Sequence, residues 1–352
     1  MTFQPCCLAT GIGSLPHPKA QDAVRVILGN VPDAPFWPQL PARGLNEQME
    51  VQYNEGLPRV VIDRAKGRMY LDTTGDTSMD LATFYEQFMA ENVDYFQITP
   101  EFSQGLYAME STLAATGRKL PFVKVQTTGP ISFGLTIVDE TKRAIYYNPE
   151  FVDVVVKCLT MKCRWQIRKF ARFAERVICF IDEPILSAFG SSTYVSVTRD
   201  DVVAKLGEVI DAVHAEGALA GVHCCGNTEW SILIDAGVDL VNFDAFDYGE
   251  TIALYPEAVK RHLQAGKALA WGVVPTNSAK IQAQTVESLV ALFDRLVANL
   301  AKVTGLDAGM IMRQAVITPS CGTGSLPVVD AERVFLLLGQ TSRILRKRLG
   351  VA

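Results

Sequence analysis

The sequence predicts an α/β protein, a (β/α)8 TIM barrel over residues 1–352 with one long elaborated segment after the first strand. Three observations carry this expectation. Eight short β-rich runs alternate with longer helical patterns, the order that yields a closed parallel sheet wrapped in helices. Polar, small and sulfur-bearing residues gather directly after those runs, where barrels of this kind keep their chemistry. With 49% hydrophobic residues over 352 positions, the chain has enough apolar content for one large core.

The runs are Cys7–Ile12, Tyr95–Thr99, Phe122–Thr127, Val177–Asp182, Ala218–Cys224, Leu240–Asp244, Ala268–Val274 and Ala315–Thr318. Amphipathic stretches such as Asp200–Glu216 and Val286–Leu300 lie between them. Only the first interval breaks the rhythm, because residues 17–92 are too many for one helix. That segment holds a proline-rich stretch from Pro32 to Pro38, a helical pattern around Asn46–Gly56, and a hairpin from Val60–Asp63 and Arg68–Asp72 turned at Lys66-Gly67. It reads as an elaborate loop over one barrel mouth, ordered by its aromatic residues.

Composition narrows the function. The formal net charge is -5 with no basic patch, which argues against a nucleic-acid partner. The longest apolar runs are strand-sized, well short of the roughly 20 residues that cross a bilayer. Met1–Cys7 has neither a basic nor an apolar signal region, so the expected location is the cytoplasm. Eight cysteines there are expected as thiols, and a cysteine beside a histidine invites a metal or catalytic reading.

The strand ends read Gly11-Ile12-Gly13-Ser14, Thr127-Thr128-Gly129-Pro130, Ile181-Asp182-Glu183-Pro184, His223-Cys224-Cys225-Gly226, Asp244-Ala245-Phe246-Asp247, Gly272-Val273-Val274-Pro275 and Pro319-Ser320-Cys321-Gly322. His223 and Cys225 are two apart and share one face of an extended chain, while Cys224 points away. With Cys321 they offer an imidazole and two thiolates, a tetrahedral zinc set with one position left for a carboxylate or a substrate. A single free cysteine is commonly just a small buried apolar group; three such residues at strand ends favour the metal. Asp182 either caps its own loop or holds a substrate ammonium group. Gly13-Ser14 is either a turn or a carboxylate site built from backbone and hydroxyl. Phe36, Trp37 and Phe133 read as packing.

Taken in order, Ile12-Gly13-Ser14-Leu15-Pro16, Ile181-Asp182-Glu183-Pro184, His223-x-Cys225 and Pro319-x-Cys321-Gly322 resemble the C-terminal catalytic barrel of cobalamin-independent methionine synthase, over essentially the whole chain. The resemblance implies a Zn2+ site on His223, Cys225 and Cys321, with Asp244 as the acidic ligand and Asp247 or water as alternatives. It places the carboxylate end of homocysteine at Ile12 and Ser14 and its amino group at Asp182. No acid or base is implied, since the three ligands hold the metal.

The departures from that family are informative. The full-length synthase carries an additional N-terminal barrel, for which these 352 residues leave no room. An aspartate stands where the family has a glutamate ligand. The family's folate-protonating histidine is missing from Gly272–Ser278, and its folate-stacking tryptophan is missing from Thr128–Gly134. The chain thus looks like the short core methionine synthases, for which methylcobalamin on a corrinoid protein is the implied methyl donor. The alternatives are another zinc-dependent thiol alkyltransferase with a coenzyme M-type acceptor, a folate-dependent synthase, or a zinc-bearing adaptor without activity. Uroporphyrinogen decarboxylase shares the fold but not the zinc set.

Overall fold

The computed structural model describes residues 3–194 and 196–351. Among them the strands are β1 (Leu8–Ala9), β2 (Val60–Asp63), β3 (Arg68–Leu71), β4 (Leu120–Thr128), β5 (Val138–Asp139), β6 (Ala174–Asp182), β7 (Leu219–Cys224), β8 (Leu240–Phe243), β9 (Ala268–Val274) and β10 (Ala315–Pro319). Seven of these form one curled parallel sheet in the order β1-β10-β9-β8-β7-β6-β4. Helices follow the strands, among them Pro149–Phe170, Arg199–Ala215, Val286–Thr304 and Val328–Arg348. Asn148, Thr198 and Thr285 start the first three by accepting a bond from a first-turn backbone N–H. The TIM-barrel-like architecture expected from the alternating pattern is the one observed. None of the described helices is long and apolar enough to cross a membrane.

One expected strand is absent. Tyr95–Thr99 forms a 3₁₀ turn over Val93–Phe96 followed by irregular chain. Its carbonyls go elsewhere: the buried Lys162 ammonium donates to Phe96 O at 3.1 Å and Gln97 O at 3.4 Å. The place between β1 and β4 is filled instead by residues 33–39. Phe122 N and Lys124 N donate to Asp33 O and Pro35 O at 3.0 and 2.8 Å. On the other side, Thr10 Oγ1 donates to Ala34 O at 2.8 Å, and Gln39 N donates to Gly13 O at 3.0 Å. Pro32, Pro35 and Pro38 have no N–H to give a ladder, so this seam pairs only at isolated points, Phe36 with Lys124 and Gln39 with Ser14.

The rest of the excursion follows its sequence pattern more closely. β2 and β3 form the expected antiparallel hairpin, with β5 added parallel to β3. The helical pattern around Asn46–Gly56 resolves into two 3₁₀ turns, Leu45–Glu47 and Val51–Tyr53. Tyr53 OH donates to Gln126 O at 3.0 Å, anchoring this segment to β4.

Alternation along each strand sorts two cores. Phe122, Ile178, Phe180, Leu219, Leu240, Ala268, Ala270 and Val316 point inward and fill the barrel with Phe3 and Ile12. The intervening Val123, Val125, Cys179, Ile181, Val222, Phe243, Trp271 and Ile317 join the larger core of the chain. Gly221 leaves room for the Phe180 ring, which a Cβ there would approach to 2.6 Å. Further along the same inward rows the residues become polar: Lys124, Gln126, Asp182, His223, Asn242 and Thr318. Lys124 is wholly buried. Its ammonium donates to Ile12 O and to Gln126 Oε1, 3.1 Å away, and lies 4.7 Å from the Phe180 ring centre. Burial pulls it down to about 8, against the charges of Asp182 and Cys179.

His262, on the helix Pro256–Gln264, is buried and donates from Nε2 to Ala268 O at 3.0 Å, while its Nδ1 has no partner. Burial pulls its pKa from 6.5 down to about 4. Below 6.5 the unfolded chain gains a proton that the folded chain refuses until about pH 4. The stabilisation is therefore complete above that window and is lost as pH falls through it, by about 3 kcal/mol at most. His262→Gln keeps an amide donor for Ala268 and should shrink the stability difference between pH 7 and pH 4.5. Urea unfolding at both values checks this; an unchanged difference would rule out His262 as a source.

Candidate metal centre and its cavity

The ladder places the key side chains before any is considered for chemistry. Asp182 on β6 is opposite His223 on β7, and His223 is opposite Asn242 on β8. Asn242 is fixed from both sides: its Nδ2 donates to Ala270 O and to Thr318 Oγ1, each at 2.9 Å. Both amide hydrogens are thereby committed, so Oδ1 faces His223 Nδ1 at 2.5 Å. That oxygen can only accept, hence Nδ1 carries the proton and donates. His223 Nε2, buried and without a partner, is left with its lone pair.

Cys225 follows β7 directly and Cys321 follows β10. The ligand atoms of His223, Cys225 and Cys321 all lie within 4.8 Å of one another. The Cys225 thiol is held well below an ordinary thiol, first by the neighbouring Cys321 and then by His223. Cys321 is pushed up, by Cys225 first and burial next. Burial lowers the His223 imidazole, but the Cys225 sulfur and the charge of Asp182 outweigh that and leave it raised. An orphaned imidazole nitrogen and two sulfurs, one of them readily anionic, fit a zinc ion. Cys224 points away: its Sγ lies 3.7 Å from Gly226 O, and burial pushes its thiol up to about 12.

These three residues share a cavity of about 390 Å³ with Ile12, Ser14, Gln39 and Asp182, and Pro41, Gln48 and Met49 cover part of its wall. The long excursion thus lies over this mouth, as its sequence suggested. Ser14 is locked to the loop after β10: its carbonyl accepts from Thr323 N and Oγ1 at 2.9 Å, and its Oγ accepts from Gly324 N at 3.1 Å. Gly322 permits that approach, since a Cβ there would meet Ser14 Oγ at 2.2 Å. Asp182 keeps Oδ1 buried with no partner. Burial raises its carboxyl, against the charges of Lys124 and His223. Glu183 turns to the other side of β6 and accepts from Ile131 N, Ser132 N and Ser132 Oγ at 2.6–2.9 Å. It braces the loop at Gly129-Pro130; its neighbour Asp182 faces the cavity.

Asp244 is not brought to the metal group. Its side chain is short, and Oδ1 is held by Phe246 N and Asp247 N, each at 2.9 Å, where it starts the helix Ala245–Tyr248. Asp247 is turned to Lys280 Nζ, 2.6 Å from both carboxylate oxygens. Three residues escaped the sequence reading: Asn242, Gln39 and Lys124. The signal for Asn242 and Lys124 was a polar residue at inward parity inside an apolar strand. Gln39 sat in a stretch without strand character.

No family model matches the chain, and no curated protein sequence matches it. In shape the chain is similar to a B12-independent methionine synthase from Shewanella sp. W3-18-1 in complex with selenomethionine. The TM-score is 0.58 at 14% identity, over 97% of this chain and 98% of that one. It is also similar to a methyltransferase from Methanosarcina mazei, with a TM-score of 0.56 at 13% identity over 100% of both chains. At these identities the likeness is one of fold.

Asn242→Leu removes the acceptor that orients His223 while preserving volume. Zinc affinity, measured by competition with a chromophoric chelator, should fall about 10- to 100-fold, the usual effect of losing such a partner. Unchanged affinity in a folded variant would show that Asn242 does not set the imidazole.

Proposed function

We propose that this chain is a zinc-dependent methyltransferase of methionine synthase type, working in the cytoplasm as a single barrel, that methylates the thiol of L-homocysteine to give methionine. The observation that carries this is the group His223, Cys225 and Cys321 in one cavity with the unpaired carboxylate oxygen of Asp182. The fold shared with a synthase whose complex contains selenomethionine supports it.

When held by these three side chains, zinc supplies a Lewis acid that keeps a thiol deprotonated near neutral pH. Asp182 receives the substrate ammonium group, and Ser14 with the Ile12 turn receives the carboxylate end. His223 moves no proton, because its Nδ1–H is committed to Asn242. As the S–CH3 bond forms, the donor's bond to methyl breaks and its electron pair leaves with the donor. Asp244 caps its helix, so His223, Cys225 and Cys321 would be the protein side chains holding the ion, and the substrate sulfur would meet it in the same cavity. A coenzyme M-type acceptor has no ammonium to meet Asp182, which disfavours that alternative.

For the donor we propose a methylated corrinoid protein. A folate nitrogen needs a proton before it leaves, and neither the histidine nor the tryptophan that serve folate in the resembling family occurs at Gly272–Ser278 or Thr128–Gly134. Residues 17–92, the long excursion at this mouth, would receive the carrier.

Cys225→Ser and Cys321→Ser should each lose most of the one zinc expected per chain, read by elemental analysis; full retention in both would sink the ligand assignment. Asp182→Asn should raise KM for homocysteine about 10- to 100-fold, as expected for a lost charged hydrogen bond, with zinc retained. With homocysteine as acceptor, methylcobalamin or a methylated corrinoid protein should yield methionine. Methyltetrahydrofolate should be slower by about the 10²–10⁴-fold that general acid help contributes. Rapid turnover with the folate alone would overturn the donor assignment.

A further inference from the structure

Three polar side-chain atoms around the cavity are buried and unpaired: His223 Nε2, Asp182 Oδ1 and Gln39 Nε2. Leaving a buried polar atom without a partner costs about 1–3 kcal/mol, so three around one cavity point to a ligand that satisfies them. The first belongs to the metal group. The other two are of opposite kinds, since a carboxylate oxygen accepts and an amide nitrogen donates.

We infer that Gln39 is a substrate-binding residue, its side-chain amide donating to the α-carboxylate of the amino-acid substrate; this rests on the reading of the site as one for a thiol-bearing amino acid. An ammonium group can only donate and a carboxylate can only accept, so the two orphans sort the ends of a zwitterion. Asp182 suits the ammonium and Gln39 the carboxylate.

Position agrees with polarity. Gln39 ends the seam that replaces the missing strand. Its backbone is fixed on both sides, N to Gly13 O at 3.0 Å and O from Leu15 N at 2.9 Å. That pairing sets it directly beside Ser14, whose hydroxyl is the other donor at the carboxylate end. The Gln39 amide is neutral and adds no charge of its own. It therefore selects by geometry and leaves the net charge of the cavity to Asp182, Lys124 and the metal group.

The test is calorimetric titration of the zinc-loaded protein with methionine and with 3-(methylthio)propylamine, the same molecule lacking its carboxylate. Gln39→Leu should weaken methionine binding about 10- to 100-fold, the range for a hydrogen bond to a charged group, and leave the amine's affinity as in wild type. Gln39→Glu, nearly isosteric, should weaken methionine further, because it sets one carboxylate against another. Methionine binding unchanged in Gln39→Leu, an equal loss for the amine, or tighter methionine binding in Gln39→Glu would each overturn the inference. Wild-type protein that holds zinc but binds no methionine would overturn the underlying reading of the site as well. A wild type that binds methionine with indifferent Gln39 variants overturns the role of Gln39 alone.

Discussion

Successive side chains of a strand point to opposite faces, and the chemistry at this rim depends on that constraint. Five inward rows start apolar and end polar: Phe122 to Gln126, Ile178 to Asp182, Leu219 to His223, Leu240 to Asn242, Val316 to Thr318. Neighbouring rows are in register, so Asp182, His223 and Asn242 stand side by side across three strands. Shifting any one strand by a single residue would turn its polar terminus into the surrounding core and bring an apolar residue to the cavity. The same constraint separates adjacent residues by function. Asp182 and Glu183 are both acids, as Cys224 and Cys225 are both thiols, yet one of each pair faces the cavity and the other braces or packs.

The sequence shows this arrangement where side chains act through parity and strand ends. Seven of the eight expected runs are strands, and His223, Cys225 and Cys321 meet although nearly a hundred residues separate the last from the others. Where the structure departs from the pattern, competition for hydrogen bonds decides the outcome. Tyr95–Thr99 has strand-like composition, but Lys162 from the helix Pro149–Phe170 takes the Phe96 and Gln97 carbonyls. Residues 33–39 have no strand-like composition because proline interrupts them, yet they close the barrel. Asp244 sits at a strand end like His223, Cys225 and Cys321, but the backbone N–H groups of Phe246 and Asp247 hold its carboxylate. Such competition for hydrogen bonds leaves no trace in residue type alone.

Buried polar groups inside the barrel show a second regularity. Lys124, Gln126, Asn242 and Thr318 are engaged with one another, with backbone or with aromatic faces. Their partners fix them, and they in turn fix what lies above: Lys124 holds the Ile12 carbonyl, and Asn242 orients the His223 ring through its Oδ1. The unpaired atoms lie one layer higher, in the cavity. A supported lower layer beneath an unsatisfied upper one is the arrangement expected of a preorganised site, since the groups meant for a ligand stay in place without it.

The proline-broken seam between β1 and β4 has a mechanical consequence. Elsewhere around the barrel, adjacent strands exchange continuous rows of backbone hydrogen bonds; here Pro32, Pro35 and Pro38 contribute no hydrogen at all, and the wall is held by isolated bonds and by side chains such as Trp37, whose Nε1 donates to Gln166 Oε1 at 2.9 Å. Regions held by few backbone bonds are those that open locally at the lowest free energy. The seam leads straight into Gln39, Pro41, Gln48 and Met49. The compliant part of the cylinder thus supplies one wall of the cavity, and the continuously paired β6 to β8, with Asp182 and His223, supply another. Entry and exit of a small molecule can flex the first wall without disturbing the strands that carry Asp182 and His223.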